Sequence, residues 1–139
     1  MQKTHQDKFH YQLDRKTKTM DDIATEIVTL PRKFHTKAMS IFDLLEQTGY
    51  FEVYDEVSVS DIRNALARDP ACIQEWMQYI DDQRCSSSWY FVLNDEGLYE
   101  VGFYDSNTDP ARSNQVVYKN AMDACAAFIK HQIESIRTL

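Results

Sequence analysis

Two runs, SWYFVLN at 88–94 and LYEVGFY at 98–104, constrain the fold more than any other part of the chain. Both are rich in aromatic and β-branched residues, which suit a pleated, half-buried surface, and Asp95, Glu96 and Gly97 separate them. A connection of that length and composition joins antiparallel strands in a hairpin. The polar stretch DSNTDPARSN then leads to Gln115–Tyr118, read as a third strand of the same meander. After it, Met122, Cys125, Ile129, Ile133 and Ile136 recur at helical intervals. Asn120, with Asp123 three residues on, resembles a capping box with a shorter acid and sets the start of that last helix.

The chain before the hairpin reads as helices. Asp21 and Asp22 open a segment with Ile23, Ile27, Val28 and Leu30 at helical spacing, which Pro31 is expected to stop. From about Thr36 to Gln47, Ala38, Ile41, Phe42 and Leu45 form an apolar stripe, with Gly49 as the C-terminal stop. Residues 51–59 place Phe51, Val53, Val57 and Val59 on one parity, a strand pattern that Asp55 interrupts, so strand and loop both stay open. Ser60 is a suitable N-cap for a helix with Ile62, Ala65 and Leu66 inward, ending before Pro70. Asp69 and Pro70 fit the cap and first position of another helix, with Ile73, Trp76, Met77 and Ile80 on one face, ending near Asp82. Helices before and after an antiparallel hairpin-based sheet make an α+β fold, with helices on one face of a three-stranded or slightly larger meander.

At 139 residues the chain makes one domain that can bury a core without disulfides or metal. Residues 1–20 form a polar, basic arm in which Phe9, Tyr11 and Leu13 alternate with His10, Gln12 and Asp14, the period of a short strand near 8–14. Three well-separated cysteines, Cys72, Cys85 and Cys125, fit free thiols in a reducing compartment better than a disulfide framework. The opening residues contain no apolar run of signal-peptide type, and no stretch reaches transmembrane length. A cytoplasmic protein is expected.

Charge is unevenly spread. Between Asp43 and Asp109 stand fifteen carboxylates against three cations, whereas the first thirty-seven residues hold eight cations against five acids. The acidic stretch repels nucleic acid and anionic lipid and attracts basic surfaces. Lys3, Lys8, Arg15, Lys16 and Lys18, interleaved with Phe9 and Tyr11, have the composition of a strand-tracking arm, but the acidic remainder opposes that contact. The partner expected is therefore a basic protein rather than nucleic acid or membrane.

Motifs that carry chemistry are few. His5 and His10 have the separation of a ligand pair without a second pair, so no metal or other cofactor is expected. Gly49, Gly97 and Gly102 form no phosphate loop, G-x-S-x-G is absent, and no acid pair matches an EF-hand. Cys85 beside Arg84 has a cation that lowers a thiol pKa, but sequence supplies neither base nor oxyanion site. An enzyme or ligand-binding domain with a site near Arg84, Cys85 and Trp89 is the alternative reading, and an adaptor for basic helices a third.

DDQRCSSSWYF (81–91), YEVGFY (99–104) and AMDACAAFIKHQIESI (121–136) resemble small bacterial immunity proteins of contact-dependent inhibition and related polymorphic toxin systems, over roughly residues 57–139. The resemblance implies a non-enzymatic protein that binds one cognate toxin domain, often a nuclease. Nuclease toxins present cations to phosphate, so carboxylates that mimic phosphate compete for the same Arg and Lys side chains and steer the encounter. The candidate toxin-binding residues are Glu52, Asp55, Glu56, Asp61, Asp81, Asp82, Asp105 and Asp109, with Tyr50, Tyr54, Tyr79, Tyr99 and Tyr104 as candidate anchors. A standard interface takes about 800 Å² from each partner, which one face of the acidic segment can supply.

Overall fold

A computed structural model describes residues 18–83 and 86–139. The expected strand at 8–14, and Arg84 and Cys85, lie outside the described residues. The order is α1 (Met20–Val28), α2 (Leu30–Thr36), α3 (Ile41–Gln47), α4 (Tyr50–Val53), α5 (Val59–Arg68), α6 (Ala71–Asp82), β1 (Ser87–Leu93), β2 (Tyr99–Asp105), β3 (Arg112–Tyr118) and α7 (Ala121–Arg137). This is the α+β arrangement read from the sequence, a three-stranded antiparallel meander with helices before it and a terminal helix packed on it.

Local chemistry sets the helix ends. Thr19 and Asp22 form a capping box for α1, and Ser58 and Asp61 form another for α5, so Ser58, not Ser60, starts that helix. An N-cap needs its oxygen at the amide three residues on, and Asp61 at that third position returns the bond. Pro31 does not end the helical region. It sits in the first turn of α2, where a missing N–H costs nothing, and only a one-residue joint at Thr29 separates α1 from α2. The expected helix from Thr36 begins later, at Ile41, because Lys37 is extended and Ser40 supplies the cap oxygen to Asp43 N. Residues 51–59 form no strand. Gly49, with φ of 89°, turns the chain into the short α4, and Val57 alone of the apolar positions on that parity is fully buried.

Register explains the sheet's two faces. β1 and β2 pair without interruption, with Trp89 opposite Phe103, Phe91 opposite Val101 and Leu93 opposite Tyr99, and these residues form the face that meets α7. Phe91 stacks on Phe128 of α7 at 6.2 Å and Trp89 on His131 at 3.9 Å. β3 begins at Arg112, three residues before the expected start, and its pairing with β2 shifts by one residue between Val101 and Phe103. The extra residue falls near Asn114, whose φ is 54°. α6 touches β1, and α7 lies under all three strands with α5 beside it.

The core runs between these layers. Trp76 is fully buried, donates its indole N–H to the Val28 carbonyl at 3.0 Å, and meets Phe128 and Tyr79 edge-on. On the outer sheet face Tyr90 is only 7% exposed. Its ring lies across Gly102, its hydroxyl donates to Glu100, and the Arg112 guanidinium sits 4.9 Å above it. A Cβ at position 102 would meet the Tyr90 Oη at 2.6 Å and Cζ at 2.8 Å. Gly102→Ala is therefore expected to lower stability in denaturant titration by about 1–3 kcal/mol, the usual cost of overpacking. In a double-mutant cycle Tyr90→Ala should remove most of that difference; a cost that survives Tyr90→Ala would contradict the packing account.

Candidate functional site

The eight candidate carboxylates fall into two groups. Glu52, Asp55 and Glu56 are exposed on α4 and the turn after it, with Asp61 half-buried in the first turn of α5. Asp81 and Asp82 are exposed at the end of α6, and the half-buried Asp105 and the exposed Asp109 lie at the end of β2 and in the loop after it. Contacts with α7 locate both groups. Asp55 and Asp61 lie close enough to Lys130 to favour its charge, and the last turn of α6 shares a small cavity with Phe128 and Gln132. Asp105 pairs with Ser87, two residues before the Trp89 that stacks on His131. One group thus lies on the α4–α5 flank of α7 and the other on the α6–sheet flank. They do not form one contiguous patch.

Their bonds separate them from three other acids of the stretch, while Asp43, Glu46, Asp95 and Glu96 likewise make no ion pair with a described residue. Asp69 and Glu75 are held by Arg32, and Glu100 by Arg112, Tyr90 and Gln115. None of the eight candidates makes an ion pair with a described residue. Asp61 accepts from Ser58 N at 2.9 Å, Asp105 from Asn107 N at 2.9 Å and Asp82 from the Gln78 amide at 3.2 Å. These are local helix-cap, turn and helix-surface bonds rather than ion pairs.

The α4–α5 flank is shaped by a cluster that sequence reading did not assemble. Lys130 donates to the Tyr50 hydroxyl at 2.8 Å, the Tyr54 carbonyl at 2.8 Å and the Val57 carbonyl at 2.7 Å, which uses all three of its donors. Tyr50 in turn donates to Glu134, which also takes a two-pronged bond from Arg137, and Arg137 lies 3.7 Å over the Tyr54 ring. Burial lowers the Lys130 pKa and, with the Glu134 bond, raises that of Tyr50. Arg137 first, with Tyr50 adding to it, holds Glu134 below the usual carboxylate range. The signal was present as Lys130, Glu134 and Arg137 at helical spacing on one face of α7, but their partners, eighty residues earlier, were not legible. The cluster fixes the 54–57 turn and so presents Glu52, Asp55 and Glu56 to solvent.

Of the five anchor candidates, Tyr50 and Tyr79 are buried in the core and Tyr99 is half-buried against Phe91. Tyr54, 39% exposed beside the first acid group, and Tyr104, 38% exposed beside Asp105, remain available to a partner. An open groove of about 380 Å³ lies between α5 and α7, lined by Val59, Arg63, Tyr118, Asp123, Ala126, Ala127, Lys130 and His131. Around Trp89 the space is about 40 Å³, against the 300–1,000 Å³ typical of ligand pockets. Among the described residues no group of three His, Cys, Asp or Glu is placed to hold a metal, and no helix is long and apolar enough to cross a membrane.

The depressed Glu134 pKa gives a signed expectation. The native state favours its ionised form, so its contribution is complete above the ordinary Glu value of 4.5 and is lost as pH falls through the lower folded value. The stability gap between wild type and Glu134→Gln should therefore be constant from neutral pH down to the ordinary carboxylate range and shrink below it, as read by denaturant midpoints. A gap independent of pH through that range would contradict the assignment. No family model, curated protein or solved structure matches the chain.

Proposed function

We propose that this is an immunity protein, which binds and neutralises a toxin domain with a basic surface, a nuclease being the reading the charge favours. The observation that carries the proposal is the state of the eight carboxylates. In this stretch Asp69, Glu75 and Glu100 are met by Arg32 or Arg112, whereas none of these eight makes an ion pair with a described residue, and they lie on two flanks of α7. Leaving so many like charges unpaired costs self-repulsion, and a basic partner removes that cost on binding. The resemblance of residues 57–139 to immunity proteins points the same way.

Charge alone gives encounter rate more than affinity, so the interface also needs desolvated anchors. Tyr54 fits that role on the first flank: it is exposed, its backbone is held by Lys130, and Glu52, Asp55 and Glu56 surround it in the chain. A rigid turn with an aromatic at its centre and carboxylates around it suits Arg or Lys side chains that would otherwise contact phosphate. Tyr104 beside Asp105 offers a second anchor on the other flank.

The test is binding to the toxin domain encoded beside the gene, with capture at low and high salt as the route to a partner if that neighbour is not one. Joint reversal by Glu52→Lys, Asp55→Lys and Glu56→Lys should slow association at low salt by roughly tenfold or more, flatten its salt dependence, and leave circular dichroism unchanged. Association and protection against the toxin both unchanged in the folded triple variant would overturn the electrostatic reading.

A further inference from the structure

Among the described residues β3 is an edge strand whose surroundings differ from those of β1. Tyr90 and Phe91 at the centre of β1 are buried, whereas every residue of β3 from Arg112 to Val117 is exposed. Val116, opposite Val101, points to the helix side of the sheet and is 50% exposed. Val117, opposite Glu100, points to the other side and is 49% exposed. The 380 Å³ groove between α5 and α7 is lined by Tyr118, two residues further along β3 on that same side. An edge with apolar side chains bare on both faces, above an apolar groove, has the surface that an added strand covers.

The devices that normally blunt an edge are weak here. Gln115 to Tyr118 contains no charge and no proline, and the irregularity at Asn114 lies before this run. We propose that the occupant is a second copy of this chain, the two β3 strands pairing antiparallel about Val117 to continue the sheet across a two-fold axis. Copies carrying a net charge of −7 repel over most of their surface, and this strip is free of acids. An antiparallel edge is complementary to itself under two-fold symmetry. The register places Val117 opposite its symmetry mate, Val116 opposite the partner's Tyr118 on the groove side, and Lys119 opposite the partner's Gln115. Within each copy the Gln115 amide reaches Glu100 at 3.5 Å, so Lys119 gains a carboxylate neighbour. A ladder this short falls below the roughly 800 Å² per partner of a standard interface, so the dimer is a weak one that forms with rising concentration.

The inference is independent of the toxin reading, because it is tested on the isolated full-length protein. Sedimentation velocity from low-micromolar to near-millimolar protein should show a reversible monomer–dimer equilibrium. Val117→Lys places like charges opposite each other only in the dimer and should weaken it roughly a hundredfold, while Val117→Thr retains it. Val117→Cys should cross-link to a disulfide dimer under mild oxidation, because directly paired antiparallel residues meet disulfide geometry, whereas Asp95→Cys at the opposite hairpin turn should not. A wild-type protein that stays monomeric at every concentration, or a dimer indifferent to Val117→Lys in a folded variant, overturns the proposal.

Discussion

The burial of α7 is the constraint on which the rest of the structure depends. Six consecutive residues, Ala124 to Ile129, are buried, together with Ile133 and Ile136, so this helix is covered on nearly every side rather than along one stripe. Such a helix belongs at the centre of a fold. The small side chains of Ala124, Cys125, Ala126 and Ala127 let neighbours approach its first half closely, and Phe128, Ile129 and Ile133 fill the space further on. The sheet meets it through Phe91 and Trp89, α5 is tied to its first turn by the Arg63–Asp123 ion pair, and α6 packs Trp76 against Phe128.

A helix buried in this way leaves few positions for polar chemistry, and those positions organise the candidate interface. Lys130, Glu134 and Arg137 all turn to the α4–α5 flank, where they satisfy the Tyr54 and Val57 carbonyls, the Tyr50 hydroxyl and each other. The cations on this flank are therefore consumed internally, and the carboxylates of the adjoining turn are left facing water. The division between satisfied and unsatisfied charge, more than the number of acids, gives the surface its character. It also separates the two proposed contacts, since the acid turn lies beyond Lys130 while the β3 edge is free of acids.

How much of this was legible in the sequence varied with the range of the interactions. The hairpin and the last helix rest on local periodicity and turn chemistry and appear as expected, whereas the short helices α2 and α4 were not anticipated. Boundaries shifted where two signals competed. Ser60 was read as the cap of α5, but Asp61, three residues after Ser58, returns the bond to Ser58 and moves the start there. Val53, Val57 and Val59 gave a strand parity that a glycine turn and a four-residue helix override. The individual carboxylates of the site were visible, but their division into two flanks was not, because it depends on where α7 carries Lys130, His131 and Gln132 past three different elements. Tyr50 and Tyr54 show the same limit. Four residues apart and alike in composition, one is buried against Glu134 and the other is exposed under Arg137, and no local pattern separates them.

Residue-resolved native-state hydrogen exchange tests the central role of α7 most directly. If this helix is the hub of the fold, its amides from Ala124 to Ile133 should be the slowest to exchange and should open only with the global unfolding free energy measured in denaturant. The 112–118 edge should exchange well before them. Amides of the β1–β2 hairpin that outlast those of α7, or α7 amides that open below the global free energy, would contradict the account.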